Sequence, residues 1–316
     1  MRFRAPTLDP GVALAAAMLL ALPSSGLAED ANPPAADAAT PPVAEEVTPP
    51  ATPEAAPPAA GNASEPAKET NICFTGQGSI KEVLEACAAY IATAATGDKQ
   101  HMVIAHSVRA MGMSATGDFD GALAEMNAAV DTDPGRANSY FMRAAAYQTK
   151  KDYDKAVADL DKAISLDATQ GDFFLLRGIV YRDKNDLDKA LVDMNQKVKL
   201  DPELANGYTK RGDLYRLRKE YDLSIADFGE VIKREPDGPK GYIDRGWVYV
   251  LKGDLDNAGA DFDTALKIKQ NEPSALVGRG LVKSRKGKPT DGAADLALAK
   301  QIEPGIFDQI RTLGVQ

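Results

Sequence analysis

The chain contains few histidines, cysteines or tryptophans: two, two and one among 316 residues. The two histidines, His101 and His106, lie five positions apart, a spacing that does not match the histidine pair of a helical zinc site. Neither histidine can be assigned as the base of a catalytic cysteine. Gly76 and Gly78 lack the lysine pattern of a phosphate-binding loop. We therefore expect a protein that is not an enzyme and that holds no metal and no cofactor.

Long apolar runs are scarce too, and the one near the start spans only residues 11–22. A helix needs roughly 20 apolar residues to cross a bilayer, so this run is short for a membrane anchor. Two arginines precede it and the small residues Gly26 and Ala28 follow it, which is the layout of a signal peptide. We expect residues 1–28 to be a signal peptide cleaved near Ala28, and the remainder to be periplasmic without inserting in the membrane. An uncleaved anchor and a buried core helix are the alternatives.

Residues 29–69 have almost no large apolar side chains and consist mainly of alanine, proline and acidic residues. Such a segment cannot bury a core, and its proline pairs favour extended polyproline II geometry, so we expect a disordered linker. Most of the net charge of −9 lies in this linker, which leaves the rest of the chain nearly balanced. A chain without a basic patch lacks the electrostatic footprint that nucleic acid or anionic lipid requires, and we expect neither as a partner.

The two cysteines, Cys73 and Cys87, both precede the regular part of the chain. An even number of cysteines in an exported chain favours a disulfide, so we expect these two to pair, with two buried free thiols as the alternative. Residues 79–95 place their apolar side chains on one helical face. The region 70–102 is therefore predicted to hold an N-terminal capping helix whose entry the disulfide fixes.

A period of 34 residues runs through the rest of the chain without insertion or deletion. The six blocks begin at Val103, Ala137, Gly171, Ala205, Pro239 and Pro273. The eighth residue of each block is small (Ala110, Ala144, Gly178, Gly212, Gly246 and Gly280), and so is the twentieth (Ala122, Ala156, Ala190, Ser224, Ala258 and Gly292). Four blocks carry aromatic residues at the fourth and eleventh places, and four end in an acid followed by proline. Two stretches of helical apolar spacing in each block predict a helical hairpin.

This period and these columns resemble the tetratricopeptide repeat, in which two antiparallel helices cross where small residues let them approach. The resemblance covers residues 103–306. It implies an all-α fold, a right-handed α-solenoid of six 34-residue helix-turn-helix repeats with N- and C-terminal capping helices, in which residues 307–316 are the C-terminal cap. One hairpin cannot bury its apolar face alone, so stacking six of them makes one continuous core.

Arginine occupies the seventh place of every block, and an acid occupies the twenty-third. The arginines are Arg109, Arg143, Arg177, Arg211, Arg245 and Arg279, and the acids are Glu125, Asp159, Asp193, Asp227, Asp261 and Asp295. One interpretation is a strip of arginines that grips an anionic ligand, because a guanidinium can bind a carboxylate or phosphate through two hydrogen bonds. We favour a structural ladder that joins the two helices of each repeat, because acid and arginine recur together and in equal number.

The resemblance implies that a partner protein or peptide binds the concave surface formed by the first helices of the repeats. The predicted partner-binding residues are Val108, Met111, Phe141, Met142, Leu175, Leu176, Ile179, Lys210, Asp213, Arg216, Ile243, Trp247 and Leu281. Most of them are apolar, and part of the set is expected to pack against neighbouring helices instead. Trp247 has the type expected of a binding anchor. Family members that clasp a C-terminal carboxylate carry asparagine at the ninth place, whereas this chain has Met111 and Trp247 at such places, so we favour an apolar peptide or helix as the ligand.

These features predict a non-catalytic scaffold or adaptor of the cell envelope that binds a partner protein or peptide in the concave groove of the solenoid. The alternative is a structural component of a larger envelope assembly, or a solenoid that associates with itself. Concentration-dependent association would favour the alternative, and a monomer with a saturable peptide site would favour the adaptor.

Overall fold

The computed structural model describes residues 72–76, 78–93 and 98–314. The predicted signal peptide (1–28) and linker (29–69) lie outside the described residues. Throughout the described ranges every regular element is helical. None of these helices combines the length and the apolar character that crossing a membrane requires.

A helical turn at residues 72–75 precedes α1 (Ile80–Thr93). The paired helices are α2 (Lys99–Ala115) and α3 (Phe119–Thr132), α4 (Ala137–Thr149) and α5 (Tyr153–Leu166), α6 (Gly171–Asp183) and α7 (Leu187–Leu200), α8 (Ala205–Leu217) and α9 (Tyr221–Arg234), α10 (Pro239–Lys252) and α11 (Leu255–Ile268), and α12 (Pro273–Arg285) and α13 (Pro289–Ile302). A short helix, α14 (Ile306–Arg311), follows the last pair. Each helix packs against the next along the chain, which confirms the all-α solenoid. The first pair differs slightly from the sequence blocks, because α2 begins at Lys99, about one turn before Val103.

Each repeat turns between its two helices through one residue in the left-handed backbone region. This residue is Gly117, Gly253 or Gly287 in three repeats and Lys151, Asn185 or Lys219 in the other three, with φ between 59° and 87°. Glycine adopts this conformation without steric cost, which explains the glycines at this place. In three repeats an aspartate then accepts a hydrogen bond from a backbone N–H three residues later and caps the second helix (Asp118, Asp186 and Asp254). The turn therefore sets where each second helix begins.

The two helices of a repeat cross at the columns of small residues. A Cβ atom on Gly292 would lie 2.4 Å from the carbonyl oxygen of Gly280, and one on Gly178 would lie 2.4 Å from the Cε of Met194. These distances exclude any side chain at either place. The twenty-fourth residue of each of the first five blocks fills the space beside the crossing and is buried (Met126, Leu160, Met194, Phe228 and Phe262). The core therefore continues from one repeat to the next.

Candidate partner-binding surface

The arginine of each repeat contacts the acid of the same repeat. In repeats two to six, Nε and Nη2 of the arginine donate to the two carboxylate oxygens at 2.7–2.9 Å. These pairs are Arg143–Asp159, Arg177–Asp193, Arg211–Asp227, Arg245–Asp261 and Arg279–Asp295. In the first repeat Glu125 contacts both Arg109 Nη1 and His106 Nδ1, each at 2.7 Å. The hydrogen bond to Asp159 raises the pKa of Arg143 above its ordinary value.

Four of these arginines also reach the preceding repeat. Their Nη1 groups donate at 2.6–3.2 Å to Asn127, Asp161, Asn195 and Asp263, which all occupy the twenty-fifth place of a block. In the fourth block this place is Gly229, beside Arg245. The guanidinium donors are thus engaged inside the stack of helices, an arrangement that joins repeats and leaves no open strip of arginines for an anionic ligand.

Six of the predicted partner-binding residues are buried and do not line an open surface: Phe141, Leu175, Leu176, Ile179, Ile243 and Trp247. Phe141 packs between the first helices of adjacent repeats, with its ring centroid 5.2 Å from that of Phe173. Trp247 is only 2% exposed; its ring packs edge-on against Phe262 at 5.1 Å, and its Nε1 donates to Ser274 Oγ at 3.0 Å. The expectation that these six side chains face a ligand is therefore wrong, because each belongs to the core between stacked helices.

The half-buried residues Val108, Met111 and Met142 line a cavity of about 360 Å³ in the first two repeats. The other lining residues are Thr75, Gly76, Gly78, Ile80, Val83, Ala110, Gly112, Ser114, Ala115, Phe119, Ala122, Met126, Ala145, Ala146 and Thr149. Most of these side chains are apolar, and three are methionines, whose flexible thioethers adapt to differently shaped apolar partners. No charged side chain lines the cavity. The cavity can therefore accept an apolar side chain without stranding a charge.

Helix α1 and the turn before it form one wall of this cavity. Cys73 and Cys87 form a disulfide, with sulfur atoms 2.11 Å apart, and lie in a buried cluster with Val83 and Ala105, which confirms the predicted pairing. On the other side, α1 meets α2 at Gly112, where an added Cβ atom would lie 2.9 Å from Leu84 Cδ2. The wall is thus joined covalently to the segment before it and packed closely on the first repeat.

Charged side chains occupy the middle of the concave surface. Lys210, Asp213 and Arg216 of α8 are half-buried, and Lys240 and Asp244 of α10 form an ion pair beside them. Burial lowers the pKa of Lys210 and raises the pKa of Asp244. These directions show that charge is costly here, so a ligand crossing this band must either pair with it or avoid it.

The C-terminal end of the concave surface is covered by the chain itself. Ile306 and Ile310 of α14 are buried in the same cluster as Ile243, Trp247 and Val277, and Leu281 packs against that cluster. Arg216 Nη1 donates to the carbonyl oxygen of Leu313 at 3.1 Å. The sequence indicated a C-terminal cap, but a pattern this short gave no signal that the cap returns as far as α8.

Two models of the tetratricopeptide repeat family match the chain, at residues 137–170 and 209–273. Several solved structures are similar. A tetratricopeptide repeat protein from Parabacteroides merdae ATCC 43184 is 17% identical with a TM-score of 0.59, over 79% of this chain and 96% of that chain. PilW, described as a widely conserved type IV pilus biogenesis factor, is 18% identical with a TM-score of 0.57, over 65% of this chain and 94% of that chain.

PilF of Pseudomonas aeruginosa is 15% identical with a TM-score of 0.56, over 66% of this chain and 94% of that chain. No curated protein matches the chain. At these identities the likeness to solved structures shows the fold, a solenoid of paired helices.

Proposed function

Since this chain is a tetratricopeptide repeat protein, we propose that it is a non-catalytic scaffold or adaptor of the cell envelope that binds an apolar segment of a partner protein in the N-terminal half of its concave surface. The observation that carries the proposal is the methionine-lined cavity between α1 and the first two repeats. Proteins with this fold serve generally as protein-interaction modules, and the cavity is the apolar recess on the described concave surface that no segment of the described chain covers.

The volume of the cavity indicates what enters it. About 360 Å³ lies at the lower end of the range of ligand pockets, which is roughly 300–1,000 Å³, and suits one or two large side chains of a peptide. Met111, Met126 and Met142 can repack around leucine, phenylalanine or methionine at little cost. An amphipathic segment whose apolar face inserts such anchors is the partner chemistry that this surface favours.

The cell-envelope location is supported by two features of the chain. The disulfide between Cys73 and Cys87 persists only in an oxidising compartment such as the periplasm. The first 28 residues have the layout of a signal peptide. Export and the identity of the partner remain parts of this proposal.

The test is site-specific photo-crosslinking in cells that produce the full chain. A photoreactive residue replaces Met142 in the cavity, or, as the matched control, Val192 on α7, which is 67% exposed and lies outside the cavity. We expect one protein to crosslink from position 142 and not from position 192. That protein, once purified, should bind the parent chain saturably and bind a Met111→Asp variant at least about tenfold more weakly, because the variant buries a carboxylate without a partner.

Folding of the Met111→Asp variant is checked by circular dichroism. The proposal fails if the same proteins crosslink from both positions, or if the folded variant binds the purified partner as tightly as the parent does. If the crosslinked product is a second copy of this chain, the protein is a self-associating solenoid instead.

A further inference from the structure

The C-terminal segment, residues 304–314, lies on the concave surface and not on the open edge of the last repeat. It leaves α13, forms α14, and reaches α8, where Arg216 Nη1 donates to the Leu313 carbonyl oxygen at 3.1 Å. Helix α8 is the first helix of the fourth repeat, two repeats before α12. The first helices form the concave side, so a segment that spans from α12 to α8 crosses that side over three repeats.

The segment has the chemistry of a short amphipathic helix. Ile306 and Ile310, four residues apart, are buried, and Phe307 and Leu313 pack against the same cluster. Asp308, Gln309 and Arg311 are exposed. Residues four apart lie on one helical face, so the isoleucines form the buried stripe and the polar residues face water.

The surface beneath the segment matches this stripe. It presents Ile243, Trp247, Val250 and Val277, all buried in one cluster with the two isoleucines, and Leu281 packs against them. Arg216 lies where the segment ends, and a cation is favourable at a helix C-terminus because it offsets the negative end of the helix dipole and binds a free carbonyl. The surface therefore selects both an apolar stripe and a helix direction, with the C-terminus toward α8.

The segment is held weakly for its position. Helix α14 has six residues, and isolated helices shorter than about 12 residues are marginal in water. It joins α13 through Glu303, Pro304 and Gly305, of which the proline and the glycine are exposed, and a Cβ atom on Gly305 would meet nothing within 4 Å. One side-chain hydrogen bond, from Arg216, joins the end of the segment to α8. A short helix on an exposed hinge can leave its surface without disturbing the repeats.

We propose that the C-terminal half of the concave surface is a second binding surface, for a short amphipathic helix of a partner, and that the C-terminal segment is its resident occupant and exchanges with that partner helix. This surface lies at the opposite end from the methionine-lined cavity. The proposal shares with the proposed function only the use of the concave side, and each can fail without the other.

The test uses a fluorescent synthetic peptide with the sequence of residues 303–316 as the probe and the full chain as the receptor. In an Ile306→Ser, Ile310→Ser variant of the full chain the resident segment is released, and fluorescence anisotropy should show saturable binding of the peptide. The parent chain should bind the peptide at least about tenfold more weakly, because its surface is occupied most of the time. A peptide carrying the same two serine substitutions is the matched control and should not bind either chain.

Trp247 supplies an independent readout, since it is the only tryptophan and lies in the cluster that the segment covers. Its emission should shift to longer wavelength in the released variant and return when the peptide is added. Adding Arg216→Ala to the released variant should weaken peptide binding. A released variant that keeps the helical circular dichroism of the parent but binds no peptide would overturn the proposal.

Hydrogen exchange of the parent chain covers the case in which the released variant does not fold. We expect the amides of residues 309–314 to exchange much faster than those of α12, at a rate insensitive to low urea concentrations, because they open locally. If instead these amides exchange together with those of α12 and α13, the segment is a permanent part of the solenoid and the proposal is wrong.

Discussion

Arg211 and Asp227 form a two-bond ion pair, in which Nε donates to Oδ2 at 2.8 Å and Nη2 donates to Oδ1 at 2.7 Å. The remaining Nη1 of Arg211 reaches Asn195 in the preceding repeat at 2.9 Å. One guanidinium therefore ties together the two helices of its own repeat and the repeat before it. Because the same three-way contact recurs along the stack, the 34-residue spacing of arginine and acid is explained by register between helices.

Removing the acid of this pair should strongly destabilise the protein. In Asp227→Ala the half-buried guanidinium of Arg211 loses both carboxylate bonds, and breaking such a pair from one side costs roughly 3–5 kcal/mol. Urea denaturation followed by circular dichroism should show this loss in the free energy of unfolding.

The matched control for that substitution is Asp188→Ala. Asp188 pairs with Arg218 of the next repeat, but its side chain is 87% exposed, and exposed ion pairs contribute little. We expect no measurable change in the urea midpoint for this variant. Equal midpoints for the two variants would show that burial of the Asp227 pair does not matter.

Two glycines of the fifth and sixth repeats should respond to alanine in opposite directions. A Cβ atom on Gly278 would lie 2.3 Å from the ring of Phe262, which is fully buried and has no room to move, so Gly278→Ala should lower the free energy of unfolding by about 1–3 kcal/mol.

At Gly229, in the fourth repeat, the nearest atom to an added Cβ is Arg245 Nη1 at 3.9 Å. Alanine is a better helix former than glycine by up to about 1 kcal/mol, so Gly229→Ala should stabilise the protein. Thermal unfolding of the three chains checks the order, Gly278→Ala below parent and parent below Gly229→Ala. Any other order contradicts the packing described for Phe262.

Loss of the disulfide should loosen one end of the solenoid. The bond closes a loop between Cys73 and Cys87 with a sequence separation of 14, and in the chain-entropy model a loop of that size stabilises by about 3 kcal/mol. In a Cys73→Ser, Cys87→Ser variant the amides of α1 should exchange faster with solvent while those of α8 to α13 stay unchanged. The parent chain treated with a reductant is the control, since it lacks the bond but buries no serine hydroxyl. Unchanged exchange of α1 in both would mean that packing alone holds it.

The sequence predicts the repeated part of this fold well, for a physical reason. Each repeat meets nearly the same neighbours, so a requirement such as the small residue at Gly178 or the arginine at Arg211 recurs every 34 residues and becomes visible as a column. The first helices of repeats two to six begin at the residues that open the blocks. The cysteine pair was equally predictable, because an even count in an exported chain leaves few other outcomes.

Features that occur once along the stack were not predictable. Trp247 was expected on a binding surface, but its burial depends on Ser274 in the next repeat and on the returning C-terminal segment, and neither forms a column. Lys197 occupies a place that is alanine or valine in every other block, yet it is 1% exposed, because Asp172 and Asp201 accept hydrogen bonds from its Nζ at 2.6 and 2.8 Å. A search for the single block that departs from a column would have marked Lys197.

Tyr90 of α1 donates a hydrogen bond to Asp98 Oδ2 at 2.7 Å, across the join between the N-terminal cap and the first repeat. Burial, and then the hydrogen bond and the charge of Asp98, raise the pKa of Tyr90 from 10.0 to about 12. Since the neutral phenol is favoured in the folded state, its contribution to stability is complete below pH 10 and is lost as the pH rises from about 10 to about 12.

We therefore expect the free energy of unfolding of the cap to fall over that pH window more steeply in the parent than in Tyr90→Phe, as measured by hydrogen exchange of α1. An ultraviolet titration gives the direct check: the component near pH 12 should disappear in Tyr90→Phe. In Asp98→Asn it should move to lower pH, because the charge is removed while the burial of the phenol stays. A component that persists unchanged in Tyr90→Phe would assign it to another group and leave the Tyr90–Asp98 contact without a role in the pH dependence.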